Sequence, residues 1–236
     1  MFVITVFIEI MIIINKMGNM KVNQNDGESI VAHFSDGVVK NFVKGEIMVQ
    51  GTEPPVGVYY IQSGYVKAYS ISPLGQINLL LVHGPNEIMP LPWALDGPQK
   101  LGVFYEAISA VCMLRTSKDS LRQAMGINPW LTEQILGQMV NTFTVYANRI
   151  QSLGYRLPRE RVIACLLDLA NRFGRMKSHH IVIEAPVTHQ DIADSINMTR
   201  ETASRALELL TKDGLIIQKN HLFILKDVEK LQDEID

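Results

Sequence analysis

Hydrophobic and polar positions change their period twice along this chain. Over residues 31–116, apolar residues come in short runs rich in Val, Ile, Tyr and Phe. Gly37, Gly45, Gly51, Gly57, Gly64, Gly75 and Gly84 punctuate them. That spacing predicts seven short strands in a sandwich or barrel. The clearest piece runs from Val58 to Tyr69 and reads as two alternating strands meeting at a Ser63-Gly64 turn. Ser70 to Gly75 then turns into a further strand over residues 77–82. From Ser117 the period becomes helical. A short capped turn reaches Met125, and Asn128-Pro129 opens a longer helix with proline at its first position. Leu131, Ile135, Met139, Thr142, Val145 (or Tyr146) and Ile150 (or Arg149) follow steps of three and four, one long apolar stripe ending near Leu153. Gly154 to Pro158 reads as a hinge. Residues 159–173 read as a helix with Val162, Ile163, Leu166, Leu167 and Ala170 on its apolar face, and Ile181 opens a short strand.

The stretch from Thr188 to Gly214 reads as two short helices and a tight turn. Thr188 caps the first, with Asp191 three residues on as a capping-box-like partner. Ile192 and Ile196 share one face, and small Ala193 allows a close helix crossing. Asn197 suits a positive φ at the turn, and Thr199 caps the second helix. In that helix Ala203, Ala206, Leu207 and Leu210 point to a core, while Arg200, Glu201, Ser204, Arg205 and Glu208 fall on the other side. Gly214 ends it. Residues 215–218 and 222–225 then form a hairpin over Lys219-Asn220-His221, a wing whose tip suits DNA phosphates, and residues 230–236 read as a frayed end.

Such a polar face suits the major groove. An arginine grips guanine O6 and N7 with two hydrogen bonds, and a glutamate accepts from cytosine N4. The bland alternative is an amphipathic helical hairpin with a solvated charged face. Thr188, His189 and Gln190, at the start of the first helix, are candidate phosphate contacts.

The run Thr199-Arg200-Glu201-Thr202-Ala203-Ser204-Arg205 resembles the Ser-Arg-Glu-Thr-Val-x-Arg recognition helix of the Crp/Fnr family (cyclic AMP receptor protein and fumarate-nitrate regulator). The resemblance extends more weakly from about Phe34 to the C-terminus. It implies an α+β chain with a β-roll (jelly-roll) sensor domain over residues 21–116, a dimerisation helix over 117–153 and a winged helix-turn-helix over 154–236. It implies a homodimeric transcription regulator acting on double-stranded DNA and RNA polymerase in the cytoplasm, either answering to an unidentified small-molecule effector or, as the alternative, binding DNA constitutively with no effector. The expected target is a pseudo-palindrome with TGTGA-like half-sites. Bases would be met by Arg200, Glu201, Ser204 and Arg205, and phosphates by Thr188, His189, Gln190, Thr199 and Thr202.

Composition adjusts this picture. The chain has 236 residues, is 47% hydrophobic and carries a net charge of −2, so cores are affordable but bulk electrostatics does not announce a nucleic-acid binder. Even residues 157–236 hold 11 Lys and Arg against 13 Asp and Glu. The DNA reading therefore rests on local placement. No nucleophile–base pair, metal cluster or phosphate loop marks an enzyme. The two cysteines, Cys112 and Cys165, sit in apolar runs that predict core burial, and two are too few for a four-thiolate iron–sulfur cluster within one chain. None of the six histidines has metal-ligand spacing.

The family's cyclic-nucleotide binders carry Gly-Glu and, about ten residues on, Arg-Ser or Arg-Thr against the cyclic phosphate. Here Pro90 and Leu91 stand at the first pair and Leu101 and Gly102 at the second, and no arginine precedes Arg115. A buried phosphate wants a guanidinium fork or a helix N-terminus, which argues against cyclic AMP. Trp93, Lys100 and Tyr105 remain as candidate effector contacts, with core packing as the alternative for the aromatics. Residues 1–14 are almost wholly apolar, too short to span a bilayer and without a basic leader. A start upstream of the true one is the first reading of residues 1–20, a packed element the second and a membrane tether the third.

Overall fold

The computed structural model describes residues 30–100 and 102–235. The apolar segment at residues 1–20, and Leu101, lie outside them.

The β-rich part holds eight strands: β1 (Val38–Phe42), β2 (Ile47–Val49), β3 (Val58–Ser63), β4 (Val66–Ile71), β5 (Ile77–His83), β6 (Ile88–Met89), β7 (Phe104–Ala107) and β8 (Val111–Thr116). They pair antiparallel as two four-stranded sheets, β1-β8-β3-β6 and β2-β7-β4-β5. Tyr59, Ile61, Val66, Leu81, Met89, Tyr105 and Met113 form a shared core for the two sheets. A short helix, α1 (Leu91–Ala94), sits between β6 and β7.

Two details depart from the pattern reading. Strands β3 and β4 lie in different sheets, so Gly64 turns a corner between sheets and not a hairpin. It has φ +87°, and a Cβ there would lie 2.1 Å from the Ala110 carbonyl oxygen, so only glycine fits. Strand β3 also buries both of its faces over Val58–Ile61. Tyr59 and Ile61 join the inter-sheet core, while Val58 and Tyr60 pack with Phe34, Trp93, Leu121, Leu131 and Ile135 against the helices.

Helix α2 (Lys118–Ile127) is capped by Ser117, whose Oγ accepts from Ser120 N at 3.0 Å. Helix α3 (Pro129–Ser152) is capped by Asn128, whose Oδ1 accepts from Leu131 N at 3.1 Å. The predicted stripe of α3 turns homeward as far as Val145: Leu131 and Ile135 are buried against the β-roll, and Met139 and Val145 pack at its edge, whereas Ile150 at its end is exposed. A second stripe is left bare. Leu136, Val140, Phe143 and Ile150 are 57%, 45%, 72% and 71% exposed.

The last part begins with α4 (Pro158–Phe173). It continues through β9 (Gly174–Lys177), β10 (His180–Ile183), α5 (His189–Ser195), α6 (Arg200–Lys212), β11 (Ile216–Lys219), β12 (Leu222–Leu225) and α7 (Val228–Asp233). The strands order as β11-β12-β10-β9. Strand β9 escapes the pattern reading because its four residues are all exposed and carry no alternation. Its turn to β10 uses Ser178 and His179, both at positive φ, and that of the wing uses Asn220 and His221 in the same way. These two-residue turns match strand twist as Asn-Gly turns do, without the glycine that would have announced them.

The C-terminal segment is not frayed. Asp227 caps α7 by accepting from Lys230 N at 3.0 Å, and Leu231 is fully buried. Glu234 accepts two hydrogen bonds from Arg159, at 2.6 and 2.8 Å. Both cysteines are free and half-buried. Cys112 differs from expectation, its Sγ turned toward Gln62, whereas Cys165 packs against the core with its Sγ 3.2 Å from Ser195 Oγ. Among the described residues no helix is long and apolar enough to cross a membrane.

Candidate nucleic-acid interface

The helix pair is built by local chemistry. Thr188 Oγ1 accepts from Asp191 N at 3.1 Å, and Asp191 Oδ2 accepts from Thr188 N at 2.8 Å, a reciprocal capping box that starts α5. Asn197 takes φ +54° between the helices, and Met198 N donates back to Ala193 O at 3.0 Å. Thr199 caps α6 by accepting from Thr202 N at 3.3 Å. Ala203, Ala206, Leu207 and Leu210 are buried, each at 4% exposure or less, so the roll of α6 about its axis is set by packing.

That roll turns Arg200, Glu201, Arg205 and Glu208 outward. Glu201's own backbone N–H, then the Thr199 hydroxyl and the nearby Arg200 and Arg205, hold its carboxyl below the usual range. The face therefore presents guanidinium donors beside a dependable acceptor, the pair of functions a base edge in the major groove requires.

The other proposed contacts divide. Thr188, Gln190 and Thr199 are exposed, although Gln190 also donates to Asp194 at 2.7 Å. Thr202 is half-buried and shares a 3.0 Å contact with the Thr199 hydroxyl. His189 is turned inward: Nδ1 lies 2.9 Å from Ser204 Oγ, Nε2 lies 3.0 Å from Gln218 Oε1 on β11, and the ring stacks on Phe223 at 5.9 Å. In the tautomer that gives Nε2–H to Gln218 Oε1, Nδ1 accepts a hydrogen bond from the Ser204 hydroxyl. His189 thus bolts α5, α6 and the wing together, and Ser204 spends its donor on it. Helical periodicity could place Ser204 beside α5, but nothing in the sequence marked Gln218.

The candidate effector residues are not gathered at one place. Trp93 belongs to the cluster between the β-roll and the helices, under the Lys118 ammonium at 5.4 Å from the ring centre. Tyr105 lies in the inter-sheet core, where burial pushes its phenol well up, and Lys100 is exposed. Sequence reasoning missed the contacts joining the β-roll to the C-terminal part, because their partners lie far apart in the chain. Lys67 on β4 meets Asp191 at 3.5 Å, and Arg172 on α4 meets Glu87 at 3.0 Å.

Comparison with known proteins places these parts among relatives. Residues 160–234 match the Crp-like helix-turn-helix domain and residues 39–128 the cyclic nucleotide-binding domain. A CRP-like cAMP-activated global transcriptional regulator of Mycobacterium tuberculosis is 28% identical over 192 residues, 81% of this chain and 85% of that protein. Electron transport regulator A of Shewanella oneidensis is 28% identical over 194 residues, 81% of this chain and 76% of that protein. The structure of FixK2 from Bradyrhizobium japonicum has the same fold, with a TM-score of 0.71 at 23% identity, covering 84% of this chain and 96% of that one.

Proposed function

Because the chain is a DNA-binding transcriptional regulator of the Crp/Fnr family, we propose that it works as a homodimer reading a pseudo-palindromic duplex through Arg200, Glu201 and Arg205. The observation that carries this reading is the split of α6: one face is locked into the core and the other offers charged groups to solvent. Ser204 would contribute by orienting His189, and the exposed Thr188, Gln190 and Thr199 are the proposed phosphate contacts. Two copies related by a two-fold axis would put the half-sites one helical turn apart, about 34 Å.

The second copy would meet the bare stripe of α3. Leu136, Val140, Phe143, Ala147 and Ile150 alternate steps of four and three, the heptad seam of a coiled coil. An exposed apolar seam along a helix of 24 residues marks an interaction surface. The sensor does not use cyclic AMP in this reading, although the M. tuberculosis relative is described as cAMP-activated. Pro90 and Leu91 carry no charge for a cyclic phosphate, Gly102 carries no side chain, and Arg115 is the first arginine of the chain. RNA polymerase as a partner, and a small-molecule effector other than cyclic AMP, complete the proposal.

Selection of random duplex DNA by the purified protein, with no ligand added, tests it. Enrichment of a palindrome with TGA-containing half-sites is expected, and would show that no effector is obligatory for binding. Failure to enrich any sequence, both alone and in cell extract, would remove the DNA reading.

A further inference from the structure

Strand β5, helices α3, α4 and α5, and the C-terminal residues Gln232 and Ile235 line an open-sided cavity of about 330 Å3, within the size range of small-molecule sites, roughly 300–1,000 Å3. Its walls come from the β-roll, the long helix and the helix pair at once. Leu81, Leu167, Ile192 and Ile196 give it an apolar lining. Two charged side chains of opposite sign stand in that lining, and among the described residues neither has an ion-pair partner within 4.0 Å.

The first is Arg149 on α3. Its terminal nitrogens donate to the Leu79 carbonyl and to Asn78 Oδ1, both neutral acceptors. Among the described residues no carboxylate lies within 4.0 Å of it. The second is Asp168 on α4. Burial raises its carboxyl, and neither the Arg172 charge nor the Asn148 hydrogen bond offsets this. Arg172 is committed elsewhere, to Glu87 Oε1 at 3.0 Å. Both side chains are half-buried. A charge partly withdrawn from water without a direct ion-pair partner is costly, and a ligand that supplies the partner recovers that cost.

We propose that this cavity binds a small zwitterion with an apolar body, an apolar amino acid or dipeptide, its carboxylate at Arg149 and its ammonium at Asp168. The proposal names the chemistry of the effector left open above and rests on that reading only for its regulatory meaning.

The test is calorimetric titration of leucyl-leucine into the full chain without DNA, beside N-acetyl-leucyl-leucine and leucyl-leucinamide, each lacking one charge. The free dipeptide is expected to bind saturably, and each blocked form roughly tenfold more weakly. Arg149→Met should erase the preference for a free carboxylate, and Asp168→Asn the preference for a free ammonium. The blocked peptides probe the unaltered protein, so an unstable variant leaves the comparison intact. Equal binding of free and blocked peptides, or no heat at millimolar peptide, overturns the proposal. Because the titration contains no DNA, its failure leaves the DNA reading standing, and failure of the DNA selection leaves this site standing.

Discussion

The Lys67 ammonium on β4 stands 3.5 Å from Asp191 Oδ1 at the start of α5, and 3.2 Å from Glu106 Oε1 on β7. Burial alone would lower the Lys67 pKa, but the attraction of Asp191 and Glu106 outweighs it and leaves it raised. Asp191 also closes the capping box of α5. The carboxylate that starts the helix pair is thus held by the β-roll, and apolar packing continues across the same junction. Tyr69, Leu79, Val82 and Ile108 share a core with Ile192 and Ile196.

Lys67→Met should therefore loosen this junction. It leaves two carboxylates without their shared cation in a half-buried site, a loss of about 1–3 kcal/mol. Urea unfolding of Lys67→Met, Asp191→Asn and the double variant would isolate the pair. Strictly additive losses would mean that the contact contributes nothing.

Glu87 gives the chain a pH dependence. It lies between His83 Nδ1 at 2.7 Å and Arg172 at 3.0 Å. Burial pushes its carboxyl up, yet His83 and then Arg172 outweigh burial and hold it below the usual range. A lowered folded pKa gives a contribution that is fully present above the unfolded carboxyl value, about 4.3, and is lost as pH falls through the folded one. Glu87→Gln should be less stable than the parent at pH 7, with the gap closing below about pH 4. Denaturant midpoints at both pH values check this, and a gap of constant size would refute it.

The local half of this architecture could be read from residue order. Thr188 with Asp191, Asn197, Thr199 and the steps Ala203-Ala206-Leu207-Leu210 each act within one turn of chain, and each stands where its chemistry required. Long-range relationships were opaque. Alternation cannot say that Val58 and Tyr60 face helices while Tyr59 and Ile61 face a second sheet. Periodicity found a stripe on α3 but could not say which of two apolar flanks packs at home. Strand β9, exposed throughout, has no hydrophobic signal to find. Lys67 and Asp191 are 124 positions apart, a distance over which no local rule operates.

The bare flank of α3 yields a prediction about assembly. Phe143 is 72% exposed at the middle of the seam. If two copies pair there, Phe143→Glu puts two carboxylates into an apolar interface and should convert dimer to monomer, as read by sedimentation equilibrium. Leu131→Glu would instead unfold the β-roll junction, since Leu131 is fully buried. A Phe143→Glu protein that sediments as the parent does would show that the seam is not the contact.

Helix α7 is expected to matter more than its place at the chain end suggests. Leu231 is fully buried in the core formed with Val162, Leu166 and Leu210, and Arg159 ties Glu234 to the start of α4. Leu231→Ala should cost about 2–5 kcal/mol, whereas Leu209→Ala, on the exposed side of α6, should stay within about 0.5 kcal/mol. Thermal unfolding of the two variants side by side decides it. Equal, small shifts would mean that the end frays after all.

Sequence readout separates the groups on α6 from those around it. Arg205 is exposed on the polar face. If it grips a base edge as proposed, Arg205→Ala should cost about 1–3 kcal/mol on the selected site and relax one position of it. Lys219 borders the wing turn, outside that face. Its loss should weaken all duplexes alike and lower the salt slope by about 1. His189→Ala provides the third pattern, because His189 touches Ser204, Gln218 and Phe223. Loosening the wing from the helix pair should blur several positions at once while each contact residue remains. Binding of matched and mismatched duplexes across a salt series distinguishes the three. Were Arg205→Ala to bind the selected site as tightly as the parent, the base-reading role would pass to Arg200 and Glu201.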